Sequence, residues 1–405
     1  MRRRVVVTGG GIISSLGVTD EEVWATLKAE KNCVRYMKDW EQYSGMRVHI
    51  AAPVTAPERT YPRKTMRGIG RVALLALTAT DDAIASAGLD RDELSDGRTG
   101  IAYGSSTGNV PALTDFYRLL VEKDARCVTA STYLKSMPQT CAANLSVHYK
   151  LRGRLITTNT ACTSGSQSIG YAYEAIQSGK QDVMLAGGAE ELTPADASVF
   201  DSLFSASTDN DTPELTPRAY DKTRNGLVVG EGAATLVLEE YEHAKARGAH
   251  IFGELAGFAT NTDGAHITHP NQVTVAGVMK DALMDAGLDA DAIGYINMHG
   301  TATLSGDIVE TNAVKEVFSR PVPVSTVKGY TGHTLGACGA IESWVSLMMM
   351  NRNWFCPNLN LTELDPECAE LDYILKGGRT LETEYVMSNN FAFGGINTSL
   401  IFRRV

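Results

Sequence analysis

Several features that would place the chain in a special class of protein are missing from its sequence. No stretch approaches the roughly 18–20 consecutive apolar residues that a membrane-spanning helix needs. Positive charge is scarce, since 37 Lys and Arg face 47 Asp and Glu, and the formal net charge is −10. We therefore expect no membrane insertion and no broad binding of nucleic acid or anionic membranes. Val5–Val7 is too short an apolar run for a signal peptide, so no secretion signal is expected.

Cysteine pairs of the kind that bind zinc are also missing. The seven cysteines are scattered along the chain and form no CxxC spacing. An odd, scattered set is typical of reduced thiols in the cytoplasm, which is the location we expect. His266 and His269 have HxxH spacing, but Pro270 disfavours the helix that a metal site of this spacing requires. The sequence thus predicts no metal site.

What the sequence does contain is an alternation of strand and helix patterns. The 405 residues are 43% hydrophobic and 21% charged, which is ordinary for a globular protein. Val5–Val7 is typical of a buried strand, which we expect to end in a turn at Gly9–Gly11. The alternation predicts an α/β fold whose parallel sheets are covered on both faces. The predicted helices include residues 72–87, 169–176, 278–284 and 341–350.

The chain also repeats itself. Asp82–Leu89 resembles Asp281–Leu288, which lies almost half a chain length further on. In both copies an amphipathic helix ends at a Gly-Leu pair, where glycine permits a left-handed helix end. In each half a later strand leads to a turn and then a helix, around Cys162 in one case and His333 in the other. The order of these features predicts a duplication, with the two halves packed as one unit. The predicted halves are residues 1–250 and 251–405.

Cys162 is the strongest candidate for a nucleophile. The segment Thr160–Gly165 follows the strand-like run Leu155–Thr158 and precedes a helical pattern. This junction places Cys162 at or beside a helix N-terminus, where unpaired N–H groups and the helix dipole favour a thiolate. A cysteine is more commonly a small buried hydrophobe, which is our interpretation of most of the others. Cys162 differs because the small residues around it leave room for a substrate to approach.

Two histidines are expected at strand ends in the second half. His299 lies in Asn297–Thr303, after the strand-like pair Tyr295–Ile296, and His333 ends the segment Val327–His333. A lone histidine is more often exposed or a satisfied core residue. Two histidines at the ends of strands and one cysteine at the start of a helix together indicate an active site far more specifically than any one of these residues.

A segment near the end of the chain, Asn389–Gly395, precedes the predicted terminal strand Ser399–Phe402. We expect a loop whose glycines permit unusual dihedral angles and expose backbone N–H groups. A plain turn before the last strand is the alternative interpretation.

These segments together resemble the elongating β-ketoacyl-acyl-carrier-protein synthases of types I and II. The resemblance implies the thiolase fold, in which two βαβαβαββ halves form five αβαβα layers, usually as a homodimer. It also implies an acyltransferase that condenses an acyl chain with malonyl-acyl-carrier protein, with loss of carbon dioxide, in fatty-acid or polyketide and polyene synthesis. The matching segments are Thr160–Gly165, Gly187–Glu190, Arg218–Asp221, His299–Asp307, Lys328–His333, Leu335–Ala337 and Asn390–Gly395.

The resemblance implies a role for each candidate catalytic residue. Cys162 would receive the acyl chain from the phosphopantetheine arm of an acyl carrier protein. His299 and His333 would hydrogen-bond the malonyl thioester oxygen, because the enolate left by decarboxylation needs preorganised donors. Lys328 and Glu342 would form a pair that orients this site.

Other residues match positions that handle substrate and carrier. The backbone N–H groups of Cys162 and Phe393 would form the oxyanion hole for acyl transfer. Phe393 and Phe391 would belong to the gate over the acyl pocket, and the loop Asp263–Thr268 would move with it. The enzyme itself would bind no cofactor, because the pantetheine arm belongs to the carrier. The remaining matches are Thr301, Thr303 and Thr268 for the pantetheine arm, and Arg63, Lys64 and Arg67 for docking of an acidic carrier.

Some positions depart from the common pattern of the family. Asn390 and Ala392 stand where serine and glycine are commoner, and Cys338 replaces a common alanine. These changes remove no catalytic group, but they leave open whether the chain serves primary fatty-acid synthesis or a specialised polyene pathway.

Three alternatives remain to be weighed. A thiolase would need a second catalytic cysteine in the late loop, and a starter-unit synthase would need asparagine at the position of His333. The alternative that we retain is a chain-length-factor-like subunit of a ketosynthase heterodimer. Such subunits typically lack the nucleophile, so the intact Cys162 argues against it.

Overall fold

Residues 2–405, which the computed structural model describes, form fifteen β-strands and fourteen α-helices. The strands are β1 (Val5–Ser14), β2 (Arg35–Tyr36), β3 (Ile50–Ala51), β4 (Thr99–Gly104), β5 (Leu155–Thr158), β6 (Val183–Glu190), β7 (Gly232–Glu240), β8 (Gly253–Thr262), β9 (Ile293–Asn297), β10 (Pro323–Ser325), β11 (Trp354–Phe355), β12 (Asp372–Tyr373), β13 (Arg379–Thr380), β14 (Tyr385–Ala392) and β15 (Ile396–Arg403).

The helices alternate with these strands along most of the chain. They are α1 (Asp20–Lys28), α2 (Arg63–Met66), α3 (Arg71–Ala87), α4 (Arg91–Ser95), α5 (Leu113–Glu122), α6 (Ala130–Ser136), α7 (Thr140–Tyr149), α8 (Ser164–Gln177), α9 (Pro194–Ser202), α10 (Tyr241–Ala246), α11 (Gln272–Ala286), α12 (Leu304–Val317), α13 (Lys328–Thr331) and α14 (Cys338–Asn351). No helix within residues 2–405 is both long enough and apolar enough to cross a membrane.

The two halves of the chain have the same strand order. The first half follows β5-β4-β6-β7-β1, and the second follows β10-β9-β14-β15-β8 with β12 added at its edge. In each half one strand, β7 or β15, runs antiparallel to both of its neighbours. The three strands β5, β4 and β6 of the first half pair in parallel, and so do β10, β9 and β14 of the second. A short antiparallel contact between β1 and β8 joins the halves into one sheet of 11 strands.

Helices cover both faces of each half-sheet and also fill the space between the half-sheets. Helices α3 and α7 pack on one side, and α11 and α12 on the other. Helices α8 and α14 lie in the middle, because each contacts strands of both halves as well as the other helix. This is the five-layer αβαβα arrangement of two βαβαβαββ halves, so the predicted fold class and duplication are confirmed. The division of the chain at residue 250 stays a prediction.

Strand β1 does not end at a glycine turn, contrary to our expectation. It runs through Gly9–Gly11 to Ser14 and pairs with β7 along this stretch. A Cβ atom on Gly11 would lie 2.1 Å from the carbonyl oxygen of Ala79, and one on Gly10 would lie 2.4 Å from the Trp344 ring. The glycines are therefore required by the close approach of α3 and α14 to the two faces of the strand.

The late segment is also more regular than expected. Residues 389–392 belong to β14 and pair with β15, and only residues 393–395 form the hairpin turn. The pairing of β14 with β9 covers the preceding residues 385–388. Pairing with β15 satisfies backbone groups of residues 389–392 and fixes the direction of their side chains.

The packing at β1 leads to a test of stability. Gly11→Ala is expected to lower the free energy of unfolding by about 1–3 kcal/mol, because the new methyl group would overlap backbone atoms of α3. Gly277→Ala in α11 is the matched control, since its Cβ would meet nothing closer than 3.6 Å. Thermal unfolding followed by circular dichroism compares the two variants. Equal melting temperatures would contradict the packing argument.

Candidate active site

Cys162 lies in the turn that joins β5 to α8. Ala161 has a φ angle of 50°, and a short 3₁₀ turn over Ala161–Thr163 leads into the helix at Ser164. A positive φ is costly for a residue with a side chain and persists where the surrounding structure enforces it. The turn presents the Cys162 side chain at the end of the strand, where it is 6% exposed.

His333 reaches Cys162 because the same turn occurs in the second half. There Leu335 has a φ angle of 47°, and a 3₁₀ turn over Leu335–Ala337 leads into α14. Helices α8 and α14 start side by side at two glycines. A Cβ atom on Gly165 would lie 2.9 Å from the nitrogen of Ala340, and one on Gly339 only 2.6 Å from that of Ser166. This close contact brings the His333 Nε2 atom to 3.0 Å from the Cys162 Sγ atom.

His299 stands after β9 and is held through its backbone. The buried Glu310 carboxylate of α12 accepts the N–H group of His299 at 2.7 Å and that of Gly300 at 2.8 Å. Burial raises the pKa of Glu310 to about 8, and these two N–H groups oppose that rise. The rings of His299 and His333 are nearly perpendicular, with centroids 5.2 Å apart. Sequence reasoning gave Glu310 no role, because nothing in the local pattern shows that its carboxylate returns to the His299 turn.

A buried ion pair lies behind His299. Lys328 pairs with Glu342, and both side chains are 1% exposed. The Nζ atom of Lys328 is 3.2 Å from Nδ1 of His299. Burial lowers the pKa of Lys328, but Glu342 outweighs burial, so the pKa lies above its ordinary value. The other carboxylate oxygen of Glu342 accepts from the side-chain amides of Asn390 at 2.7 Å and Asn297 at 3.3 Å.

The electrostatic environment keeps both histidines neutral. Burial lowers the pKa of His299 well below its ordinary value, and the positive charge of Lys328 and the neighbouring His333 lower it further. Burial and Lys328 act on His333 in the same direction. Each ring therefore has one N–H donor and one acceptor nitrogen at neutral pH.

The thiol of Cys162 differs from the thiolate that we expected. Burial raises its pKa to about 11, although Lys328 and the backbone N–H of Phe393 act in the opposite direction. Desolvation of the charged form therefore outweighs the helix-start position. In the free protein the thiol is protonated and needs a base, and His333 is the neutral acceptor beside it.

The turn after β14 and the loop after β8 form one hydrogen-bonded unit. The Gly394 N–H donates to the Ile267 carbonyl oxygen at 2.7 Å, and the Asp263 N–H donates to the Gly395 carbonyl oxygen at 2.7 Å. The Phe393 ring packs against Phe200, with centroids 5.6 Å apart. These two backbone hydrogen bonds couple the turn to the loop.

These elements enclose one cavity with a free volume of about 70 Å³. Phe391 forms part of its wall, with its ring centroid 5.9 Å from that of His299. Thr301, Thr303 and Thr268 line the cavity as the resemblance implied, and the hydroxyl oxygens of Thr301 and Thr303 are 2.9 Å apart. The cavity thus runs from threonine hydroxyls, suited to a polar chain, to the thiol and the two histidines.

The donor atoms at the base of the cavity include a set that could bind a metal. One ligating atom each from Cys162, His299 and His333 lie within 4.8 Å of one another. The Lys328 ammonium, 3.2 Å from His299, disfavours a second cation at this place. The absence of a metal site stays a prediction.

The proposed docking residues lie on α2 and just after it. Arg63, Lys64 and Arg67 are exposed, and none of the ion pairs found within residues 2–405 involves them. The neighbouring Arg59 and Arg71 are instead engaged, with Asp82 and Glu231 respectively. All five basic residues are exposed, but only Arg63, Lys64 and Arg67 have no ion-pair partner within residues 2–405.

Comparison with known proteins agrees with this arrangement. Residues 2–244 match the family described as Beta-ketoacyl synthase, N-terminal domain, and residues 252–362 match Beta-ketoacyl synthase, C-terminal domain. The chain belongs to the β-ketoacyl synthase family. The synthase is 38% identical to 3-oxoacyl-(acyl-carrier-protein) synthase 1 of Haemophilus influenzae, and the similarity covers 99% of both chains.

Solved structures extend the comparison to the fold of the synthase. A β-ketoacyl synthase from Burkholderia phymatum STM815 has a TM-score of 0.98 and 54% sequence identity, covering 100% of both chains. The ishigamide ketosynthase/chain length factor has a TM-score of 0.92 and 29% identity, again covering 100% of both chains. The resemblance inferred from the motifs is confirmed, and so is the thiolase fold that it implied.

The raised thiol pKa of the synthase predicts how Cys162 reacts. Alkylation by a neutral reagent such as iodoacetamide is expected to accelerate about tenfold per pH unit between pH 7 and 9, since only the thiolate reacts. Peptide mass spectrometry follows the label on Cys162, and Cys162→Ala corrects for the other cysteines. A rate that levels off below pH 8 would show that His333 or the helix start already holds a thiolate.

Proposed function

We propose that the chain is a β-ketoacyl-acyl-carrier-protein synthase that joins an acyl chain held on Cys162 to malonyl-acyl-carrier protein, with loss of carbon dioxide. The observation that supports this best is the meeting of one thiol and two neutral imidazoles at the base of a single cavity. A thiol with one histidine would suffice for acyl transfer alone. The second histidine, backed by an ion pair, suits a reaction that must also stabilise an enolate.

In the first step Cys162 takes the acyl group. The Nε2 atom of His333 accepts the thiol proton, and the sulfur attacks the thioester carbonyl carbon of the acyl-carrier protein. The backbone N–H groups of Cys162 and Phe393 stabilise the oxyanion. The bond to the pantetheine sulfur then breaks, and that sulfur leaves with the proton held by His333.

In the second step the malonyl-carrier thioester enters the cavity. Its carboxylate leaves as carbon dioxide, and the electron pair of the broken carbon–carbon bond forms an enolate whose oxygen accepts from the N–H groups of His299 and His333. His333 can donate in this step because its Nε2 atom no longer faces a thiol proton once Cys162 is acylated, so the neutral ring can hold its N–H there. The enolate carbon attacks the acyl thioester on Cys162. The carbon–sulfur bond breaks, which releases the 3-oxoacyl-carrier product, and the Cys162 thiolate takes a proton from solvent to regenerate the thiol.

Each residue role in these steps belongs to the proposal. Lys328 and Glu342 hold His299 in place, and Thr301, Thr303 and Thr268 contact the pantetheine arm. Phe393 and Phe391 gate the acyl end of the cavity. The support is the placement of the threonines and phenylalanines around one cavity and the contact of Lys328 with His299. The first half (1–250) supplies Cys162, and the second half (251–405) supplies both histidines.

The partners follow from the same proposal. An acyl carrier protein supplies the phosphopantetheine arm, so the enzyme needs no bound cofactor of its own. We also propose a homodimer or a heterodimer with a related subunit. Its support is β5, an edge strand of the large sheet that exposes Leu155 and leaves one side unpaired. The alternative, a chain-length-factor-like subunit, has less support because Cys162 is intact. A cytoplasmic location is supported by seven free cysteines.

The covalent step gives the most direct test of this function. Incubation with an acyl-carrier thioester is expected to add the mass of the acyl group to the wild-type chain and nothing to Cys162→Ala. Intact-protein mass spectrometry measures the adduct, and circular dichroism checks that the variant is folded. An adduct of equal yield on Cys162→Ala would move the nucleophile elsewhere and refute the proposed mechanism.

Docking of the carrier gives a second test. Lys64→Glu with Arg67→Glu is expected to raise the apparent KM for a carrier-bound substrate about tenfold at low salt, because both exposed positive charges face an acidic partner. The matched control is Lys376→Glu, another exposed lysine. Kinetics at several salt concentrations are compared with acylation by a small carrier-free thioester. Equal losses with both kinds of substrate would assign the patch a structural role.

A further inference from the structure

Asn390 occupies a position in the site that the reaction scheme leaves without a role. It lies on β14 with its side chain 0% exposed. Its Nδ2 atom is 2.7 Å from a Glu342 oxygen, 3.3 Å from Nδ1 of His299 and 3.7 Å from the Cys338 sulfur. The same amide group therefore contacts the ion pair, one active-site imidazole and the helix start next to Cys162.

The orientation of this amide follows from its partners. Glu342, paired with Lys328, offers only acceptor oxygens, so the –NH₂ group of Asn390 must face it. The backbone holds that orientation through β15, because Asn390 pairs with Thr398 across the ladder and its carbonyl oxygen accepts from the Thr398 hydroxyl at 3.3 Å. The amide nitrogen beside His299 is thus a rigidly held donor.

The position of the proton on His299 then follows. Its Nδ1 atom faces two groups that can only donate, the Lys328 ammonium at 3.2 Å and the Asn390 amide at 3.3 Å. A neutral imidazole in this environment accepts at Nδ1 and holds its proton on Nε2. The ring N–H is therefore the one on the opposite side of the ring from Lys328 and Asn390, available to the cavity that His299 lines.

We propose that Asn390 is a positioning residue for the condensation step, which holds Glu342 and fixes His299 in the tautomer that donates from Nε2. The inference rests on the proposed function, because a donor at Nε2 matters only if an enolate oxygen forms in the cavity. Lys328 alone would fix the tautomer of His299 less well. Its ammonium is a point charge with no preferred donor plane, whereas the Asn390 amide is planar and is held on a strand that pairs with β15.

Asn390 also connects the two parts of the site. Its amide contacts the Cys338 sulfur, and Cys338 donates to the backbone carbonyl oxygen of Cys162 at 3.2 Å. These contacts link the imidazole that stabilises the enolate to the turn that holds the acyl chain. One side chain therefore connects the groups that act on the malonyl unit to the turn that holds the acyl unit.

Three substitutions separate the donor role from simple packing. Asn390→Ala removes the donor, Asn390→Ser restores a shorter hydroxyl donor, and Asn390→Asp keeps the shape but places a carboxyl group against Glu342. Asn389→Ala is the matched control, since Asn389 is equally buried on the same strand and its side-chain amide has no hydrogen-bond partner within residues 2–405. Thermal unfolding is measured for every variant.

Two half-reactions are followed in each variant. Release of carbon dioxide from malonyl-carrier protein reports on His299, and acylation of Cys162 by intact mass reports on the rest of the site. Asn390→Ala is expected to slow decarboxylation about 10- to 100-fold, while the rate of acylation changes less than threefold. The reason is that the wrong imidazole tautomer alone can lower kcat by up to about 10⁴-fold in a histidine-dependent enzyme. Asn390→Ser is expected to recover most of the loss, and Asn389→Ala to match wild type.

The pH profile of Asn390→Asp adds a measurement that packing would not affect. The introduced carboxyl group would face Glu342 and Cys338 on α14, Lys328 on α13 and His299 after β9. Burial beside the Glu342 carboxylate raises its pKa, so it is protonated and still a donor at low pH. As the pH rises it loses that proton and becomes an acceptor opposite Nδ1. Decarboxylation by this variant should therefore fall toward alkaline pH relative to wild type.

The outcomes distinguish a failure of the proposed function from a failure of the role proposed for Asn390. A profile of Asn390→Asp parallel to that of wild type, or equal losses of acylation and decarboxylation in Asn390→Ala, would overturn the positioning role. If the wild-type protein itself neither loads an acyl group nor releases carbon dioxide from malonyl-carrier protein, the proposed function fails first. A wild-type protein that does both, with an unaffected Asn390→Ala, refutes only the inference.

Discussion

The contact between helices α8 and α14 is the constraint on which the site depends. Gly165 and Gly339 face each other's helix so closely that neither can hold a side chain. Each helix follows a turn with one residue in the left-handed region; Cys162 lies within the first of these turns, and His333 lies just before the second. The duplication supplied two equivalent strand–turn–helix units, and the glycine contact brings their turns together. A single reaction centre therefore forms across the interface of two similar halves.

A buried ion pair determines the electrostatic character of that centre. Removing Lys328 and Glu342 from water carries a desolvation cost that their attraction alone does not reliably offset. The effect of the ion pair on the neighbouring histidines explains why it is present. The positive charge lies beside His299 and helps to hold the pKa of both histidines well below its ordinary value. Each uncharged imidazole keeps one N–H donor for a developing oxyanion and one acceptor nitrogen, so His333 can also accept the thiol proton of Cys162.

Much of this architecture was predictable from residue patterns. The helix predicted over 72–87 is α3, and the strand predicted over 155–158 is β5. Both predictions succeed because the spacing of apolar residues along the chain reflects which side of an element is buried. The motifs also brought Cys162, His299 and His333 together as candidates. Their convergence in space is the consequence of a strand order that repeats in both halves.

Where prediction was wrong, tertiary contacts overrode a local rule. Gly9–Gly11 was interpreted as a turn from its conformational freedom, whereas the structure uses its small size against helices that are distant in sequence. The thiol of Cys162 was expected to ionise from its place at a helix start, but burial by residues from both halves outweighs that effect. Glu310 and Asn390 received no role, because their partners lie on other elements and no spacing rule connects them.

The small size of the cavity has a consequence for substrate binding. A free volume of about 70 Å³ can hold a few water molecules but not a long hydrocarbon chain. If the contact between the Phe393 and Phe200 rings is a gate, as proposed, a long acyl group must bind a more open conformation than this one. The measured affinity for a long acyl group would then equal the intrinsic affinity reduced by the fraction of molecules that are open at any moment. Chain-length preference would thus be partly a property of the empty protein, set by the free energy needed to separate two phenylalanine rings.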